Sequence, residues 1–145
     1  MPVPGVSDGR RRNMAAIRST DTGIEMLVRR GLHRRGFRFR LHAKDLPGRP
    51  DVVLPRYRVV VEVRGCFFHK HECATFKWPK TREEFWRAKL TANATRDLTN
   101  QARLTEAGWR VAVIWGCAVG ADADAVVDQL AAWITSDERK LEISS

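Results

Sequence analysis

The chain has 145 residues, of which 43% are hydrophobic and 30% charged, and its formal net charge is +9. This length and composition suit one domain with its own hydrophobic core, and they exclude a small scaffold that depends on disulfides. The basic excess favours a polyanionic partner, most often nucleic acid, and the alternative is a protein that is basic by chance.

The first residues, MPVPGVSDGRRR, are charged but lack the apolar core of a signal peptide. Apolar runs fall short of the roughly 20 residues of a membrane span. We therefore expect a cytoplasmic protein with reduced thiols and no membrane partner. Residues 1–18 are expected to form a basic N-terminal arm, and residues 19–145 a single domain.

The predicted elements begin with a helix that starts near Thr22 and stops at Gly36. Its helical spacing is set by Ile24, Leu27, Val28, Gly31 and Leu32. FRFRL (37–41) alternates apolar and basic residues and predicts a strand. DVVLP (51–55) and RVVVEVRG (58–65), separated by a turn, are typical of two adjacent strands, the second of them buried.

A long helix is predicted next. TREE (81–84) fits a capping box with Thr81 as the N-cap and Glu84 three residues later, and Gly108 closes the helix after about Ala107. WRVAVIW (109–115) predicts another buried strand. Residues 122–135 predict a last helix, with an inner face of Ala125, Val126, Leu130 and Trp133. This order predicts an α/β sandwich with a central mixed sheet.

The three cysteines of the chain all fall near one possible metal site. Cys66, His71 and Cys73 follow a Cys-x4-His-x-Cys pattern, and Cys117 stands just beyond the end of the WRVAVIW strand. If the two strands are neighbours, these residues offer a complete Cys3His set for structural zinc, Zn²⁺. The alternative is that Cys66 and Cys117 are ordinary buried thiols.

A second group of residues suggests a catalytic site. Asp51 opens one predicted strand, and Glu62 and Arg64 stand on the next, where side chains two apart share a face. Two carboxylates on adjacent strands can converge on Mg²⁺, which activates water and neutralises phosphate charge. The alternative is a strand-end Asp and an exposed Glu/Arg pair. His69, between two of the possible zinc ligands, is either an aimed imidazole or a solvent-exposed loop histidine.

Aromatic and basic residues are interleaved around the zinc segment. Phe67, Phe68 and Trp86 could act as apolar wedges that open a base step, although core packing is the alternative for each. Cations that could hold phosphates surround them, namely Lys70, Lys77, Lys80, Arg82 and Arg87.

Longer segments carry a family resemblance. RRNMAAIRSTDTGIE, LPGRPDVVLP, GCFFHKHEC, FKWPKTREEFWRAKL, NATRD and GWRVAVIWGCA occur in this order. Over roughly residues 11 to 118 the chain resembles the very short patch repair (Vsr) endonuclease family. The resemblance implies a restriction-endonuclease-like fold of the PD-(D/E)xK class. It also implies Mg²⁺-dependent nicking of double-stranded DNA, 5′ to the T of T·G mismatches left by deamination of 5-methylcytosine.

The resemblance also implies residue roles. Asp51 matches the metal-binding aspartate, and the backbone carbonyl of Val63 matches a further ligand. Glu25 matches an acidic helix residue near the metal waters, and His69 matches the catalytic loop histidine. The zinc set is intact at Cys66, His71, Cys73 and Cys117. Intercalating aromatics fall on Phe67, Phe68 and Trp86, and Asn13 and Met14 fall on the segment that approaches the minor groove.

Three positions depart from the family pattern. Arg64 stands where the family usually has His, Glu62 where it has an apolar residue, and Phe68 where it has Trp. Glu62 could supply a second carboxylate ligand or could pair with a neighbouring Arg. A related nicking endonuclease with another target, and a non-catalytic zinc module that binds DNA, remain alternatives. Double-stranded DNA is the expected partner of a monomer, with mismatch-repair matchmaker proteins as candidate further partners.

Overall fold

A mixed five-stranded sheet forms the centre of the computed structural model, which describes residues 23–66 and 77–145. The spatial order of the strands is the same as their order in the chain. The first three strands pair antiparallel, and the last three pair parallel. Their bounds are β1 (Arg40–Leu41), β2 (Val52–Leu54), β3 (Val59–Arg64), β4 (Arg110–Trp115) and β5 (Lys140–Ile143).

Helices cover both faces of this sheet. They are α1 (Gly23–Arg34), α2 (Glu83–Glu106), α3 (Gly116–Ala121) and α4 (Ala123–Ile134), and a 3-10 turn spans Pro55–Tyr57. Because side chains alternate along a strand, Val59 and Val61 pack with α1 and α4, whereas Val60 packs with Leu104 of α2. The result is a three-layer α/β arrangement. Within the described ranges, no helix is both long and apolar enough to cross a membrane.

The two helices on one face approach each other closely at Gly31. A Cβ atom added there would lie 2.7 Å from Cγ2 of Val127 in α4, closer than carbon atoms pack. The absence of a side chain at Gly31 is therefore what lets α1 and α4 lie together over the sheet.

Several predicted boundaries are confirmed. Gly36 and Gly108 follow α1 and α2 with φ values of 91° and 93°, the left-handed backbone that glycine adopts without strain. The strand over 58–65 and the last helix over 122–135 are present as β3 and α4. The apolar residues of these elements follow a clear strand or helix pattern, so the local sequence and the tertiary packing favour the same structure.

Other predictions are wrong in part. The capping box is absent, because Arg82 is the N-cap of α2, has left-handed backbone (φ 55°, ψ 45°) and makes no side-chain cap. The strand over 37–41 is reduced to Arg40–Leu41. In α4, Ala125 is exposed rather than on the inner face. The strand β5 and the short helix α3 were not predicted.

Candidate active site

Three separate segments converge on one point at the edge of the sheet. Glu25 lies in the first turn of α1, His42 directly follows β1, and Asp51 directly precedes β2. Their possible ligand atoms all lie within 4.8 Å of one another. The antiparallel pairing of Leu41 with Val52 produces this approach, and the His42 amide extends it by donating to the Asp51 carbonyl at 3.0 Å.

Glu25 is a buried carboxylate, only 1% exposed, on the inner face of α1. Its Oε2 lies 2.7 Å from Nε2 of His42 and accepts a hydrogen bond from Nη1 of Arg29 at 3.3 Å. A buried charge is tolerated only with such partners. Glu25 thus links the helix to the His42 segment.

The environment of Asp51 disfavours its negative charge. Burial, reinforced by the nearby charges of Glu25 and Glu62, raises the pKa of Asp51 from 3.8 to about 8. The Val63 amide, which donates to Asp51 Oδ2 at 2.8 Å, and the Arg64 cation oppose this rise. A carboxylate with this environment gains stability from a bound cation.

The donor set of this cluster fits a divalent ion. Two carboxylates and one imidazole converge, and the excess of negative charge around Asp51 would be offset by a cation. Carboxylate oxygens suit Mg²⁺ and Mn²⁺, and an imidazole ligand adds affinity for Mn²⁺ and later transition metals.

Glu62 and Arg64 form a buried pair beside this cluster. Nη2 of Arg64 donates to Oε1 of Glu62 at 2.8 Å, and the two residues are 5% and 9% exposed. Nε of Arg64 lies 4.0 Å from a carboxylate oxygen of Asp97 on α2, and its guanidinium carbon lies 5.7 Å from the Trp115 ring centre. Glu62 therefore pairs with a neighbouring Arg, as one of its two open roles predicts, and the pair is buried rather than exposed.

A cleft of about 400 Å³ opens between the β2–β3 end of the sheet and α2. Asp51, Glu62 and Arg64 line it, and Val63 contributes to its wall. Sequence reasoning assigned no role to its other polar residues, Arg49, Arg96, Asp97 and Asn100, or to His42 beside it. Arg96 and Asp97 belong to the NATRD segment, whose family resemblance could have marked them as site residues. His42 could be found only from the pairing of β1 with β2, which brings it next to Asp51.

Two of the four predicted zinc ligands can be located. Cys66 and Cys117 follow β3 and β4, whose parallel register pairs Arg64 with Trp115. The cysteines therefore lie at the same end of neighbouring strands, and Cys117 Sγ accepts a hydrogen bond from the Ser145 amide at 3.4 Å. His71 and Cys73 lie outside the described residues.

Those predicted DNA-contacting residues that the structure describes lie just before α2 and in its first turns. Trp86 is half-buried and meets Phe85 edge-on, with ring centres 5.2 Å apart. The guanidinium of Arg82 lies over Phe85 and that of Arg87 over Trp78, each 4.2 Å from the ring centre. Lys77 and Lys80 are exposed. The remaining members lie outside the described residues, namely Asn13, Met14, Phe67, Phe68 and Lys70. His69, the predicted catalytic histidine, lies outside them as well.

Comparisons with known proteins identify the relatives of this chain. The sequence model of a family described as DNA mismatch endonuclease Vsr matches residues 6–75, which include Glu25, His42 and Asp51. A DNA mismatch endonuclease Vsr of Escherichia coli (strain K12) is 41% identical over 140 residues, covering 94% of this chain and 90% of the relative. The type II nicking enzyme V.XorIIP of Xanthomonas oryzae pv. oryzae is 50% identical over 108 residues, covering 74% and 79%. V.NaeI of Lentzea aerocolonigenes, another type II nicking enzyme, is 39% identical over 136 residues, covering 89% and 80%.

Proposed function

Because this chain belongs to the Vsr family of DNA mismatch endonucleases, we propose that it nicks double-stranded DNA 5′ to the T of T·G mismatches arising from 5-methylcytosine deamination. The observation that carries the proposal is the Glu25, His42 and Asp51 cluster beside the cleft that Arg64 lines. The mixed sheet with helices on both faces supports a restriction-endonuclease-like class for the fold.

We assign the catalytic ion, Mg²⁺, to Asp51, with Glu25 and His42 close enough to hold it or its waters. The resemblance to the family adds the Val63 carbonyl as a further ligand. When bound, the ion lowers the pKa of a water molecule and neutralises charge on the scissile phosphate. Asp51 provides the negative charge that retains the ion, and the Val63 amide fixes the orientation of its carboxylate through the bond at 2.8 Å.

Arg64 supplies a permanent positive charge. A guanidinium stays protonated at neutral pH, so Arg64 acts by stabilising negative charge on the phosphate rather than as a base. Glu62 holds that guanidinium in place at the wall of the cleft. Proton transfer falls to His69, because an imidazole titrates near neutral pH.

DNA is bound by the aromatic and basic residues that precede and begin α2. Trp86, with Phe67 and Phe68, forms the wedge that enters the mismatched step, which costs less to unstack than a matched one. Met14 and Asn13 meet the minor groove. The phosphates are held by Lys70, Lys77, Lys80, Arg82 and Arg87.

A structural Zn²⁺ held by Cys66, His71, Cys73 and Cys117 completes the proposal. Its support is the parallel register of β3 and β4, which places Cys66 and Cys117 at the same end of adjacent strands. A closed Cys3His set leaves no open coordination position, so this ion stabilises the segment rather than taking part in hydrolysis.

Nicking of defined duplexes tests the function. The substrates carry T·G, C·G or 5-methylcytosine·G at one position, with Mg²⁺ present. We expect cutting of the T·G duplex alone, and its loss in Asp51→Ala while DNA binding is retained. Asp124→Ala, which removes an exposed carboxylate from α4, serves as the matched control. Comparable nicking by Asp51→Ala would place the active site elsewhere.

A second candidate is the same reaction at another target. It is favoured by the buried Glu62–Arg64 pair, which departs from the family pattern within the cleft. A panel of T·G duplexes with varied flanking bases, and of duplexes with modified bases, distinguishes the two. Preferential cutting of a modified, fully paired duplex would favour this second function.

A further inference from the structure

A basic groove runs between α1 and Phe39, which directly precedes β1. It has a volume of about 410 Å³ and is lined by Met26, Arg29, Arg30, His33, Arg34 and Phe39. We call it the α1–β1 groove. It shares no lining residue with the cleft at Asp51, and none of its residues has a role in the function proposed above.

The basic residues of the α1–β1 groove form one stripe along the helix. Residues 26, 29, 30, 33 and 34 recur at spacings of three and four, so they share one side of α1. Within the described part of the chain, neither Arg30 nor His33 is ion-paired with a carboxylate, and Arg34 lies 3.9 Å from an exposed Asp124 oxygen. An exposed pair at this distance contributes little, so the positive charge of the groove stays available to a ligand.

The stripe begins at the candidate metal cluster. Nη1 of Arg29 contacts the same Glu25 oxygen that meets His42. From Arg29 to Arg34, the basic part of the stripe, the helix advances ~7.5 Å at ~1.5 Å per residue. Phosphates of one DNA strand recur every ~3.4 Å along the duplex axis, so the stripe is long enough for about three of them.

We propose that the α1–β1 groove binds the phosphodiester backbone of the strand being cut, on one side of the nick; this rests on the function proposed above. The arginines donate to phosphate oxygens, a charge-assisted contact for which guanidinium geometry is suited. Met26 and Phe39 offer an apolar floor to the deoxyribose. The groove then sets how the duplex lies relative to Asp51 without reading its sequence.

The dependence of DNA affinity on salt tests the proposal. A double variant, Arg30→Gln with Arg34→Gln, is titrated with a T·G duplex at several salt concentrations. Each lost phosphate contact lowers the slope of log K against log salt by ~0.9, so we expect a decrease of up to ~1.8. The charge-preserving double variant, Arg30→Lys with Arg34→Lys, should retain most of the slope.

A matched control removes the same charge elsewhere. Arg139 and Lys140 line a groove at the opposite end of the strands, so Arg139→Gln with Lys140→Gln should leave the slope nearly unchanged. An unchanged slope in the folded α1–β1 double variant, or an equal decrease in both glutamine pairs, would overturn the proposal. An acidic protein partner would then be the remaining explanation of the groove.

Nicking measured in parallel separates this proposal from the function. Because Arg30 and Arg34 belong to the proposed DNA-binding groove, nicking by their glutamine double variant should fall together with its DNA affinity, whereas nicking by the wild type tests the function by itself. If the wild type does not nick the T·G duplex, but the salt dependence of DNA affinity decreases in the α1–β1 variant alone, the backbone contact is supported and the mismatch function is wrong. If the wild type nicks and no slope changes, the function stands and the groove proposal fails.

Discussion

At the scale of single residues, Asp51 links the candidate metal cluster to the stability of the protein. Its carboxyl has a pKa of about 8 when folded and 3.8 as the ordinary value, so the folded state binds the proton more tightly. The resulting stability is complete below about pH 4 and is lost as pH rises through about 8.

We therefore expect Asp51→Asn to gain stability relative to the wild type as pH rises from about 4 to about 8 in buffer without divalent ions. Thermal unfolding of both proteins across this range measures the difference. Saturating Mg²⁺ should reduce the difference, because the ion stabilises the charged wild-type carboxylate only. A difference in unfolding temperature that does not vary with pH contradicts the prediction.

The Glu62–Arg64 pair gives a second prediction. Arg64→Ala removes the guanidinium 2.8 Å from a buried carboxylate. Breaking a buried pair in this way costs about 3–5 kcal/mol of unfolding free energy. Arg87→Ala breaks an exposed pair of the same length with Glu83 and should cost at most about 1 kcal/mol.

Chemical denaturation of the two alanine variants and of the double variant Glu62→Gln with Arg64→Ala measures these costs. The double variant should recover part of the lost unfolding free energy, because Glu62→Gln removes the buried negative charge that Arg64→Ala leaves without its cation. If the changes in unfolding free energy caused by Glu62→Gln and by Arg64→Ala simply add in the double variant, the two side chains do not stabilise each other.

Residue types and their spacing predict part of the candidate site, but not all of its residues. Asp51, Glu62 and Arg64 follow from strand alternation, since side chains two apart share a face. His42 does not, because its approach depends on the pairing of β1 with β2 and on left-handed backbone at φ 47°. Such a backbone is uncommon for a residue other than glycine and is held here by long-range contacts.

At the scale of the elements, the contact between α1 and α4 depends on Gly31. We expect Gly31→Val to destabilise the protein by ~1–3 kcal/mol, because its side chain would meet Val127. For a chain of this size each kcal/mol lowers the unfolding temperature by about 2–4 °C. Gly23→Val, on the same helix with no described atom within 4 Å of its added Cβ, is the control. Equal melting temperatures of the two variants would contradict the close packing.

Sequence patterns predict some elements of this fold and not others. The strands β3 and β4 and the helix α4 are predicted from the sequence because their apolar residues form long runs or follow a helical period, and most of these residues are buried in the folded protein. The start of α2 does not follow its capping pattern, since Arg82 takes left-handed backbone and displaces Thr81 from the cap position. The strand β5, KLEI, is short and half polar, so only its parallel pairing with β4 defines it.

At the scale of the whole molecule, the proposed zinc ion joins segments that are distant in the chain. We expect about one zinc ion per chain in the purified protein and its loss in Cys117→Ser. Elemental analysis measures the content, with His33→Ala, which changes an exposed histidine of α1, as the control. Removal of the ion should also lower the unfolding temperature, because binding energy here is folding energy. Unchanged zinc in Cys117→Ser contradicts the site.

The parallel pairing of β4 with β5 has a consequence for synthesis of the chain. β4 carries the apolar run VAVIW, and its outer edge is covered only when Lys140–Ile143 has been made. Until then a nascent chain presents an open hydrophobic strand, the kind of edge that recruits other chains. Trp115 of β4 donates to Glu142 of β5 at 2.7 Å and also lies beside Arg64. A ribosome-bound chain without β5 therefore exposes an apolar strand edge, and the contact of Trp115 with Glu142, beside Arg64, forms only after β5 has been made.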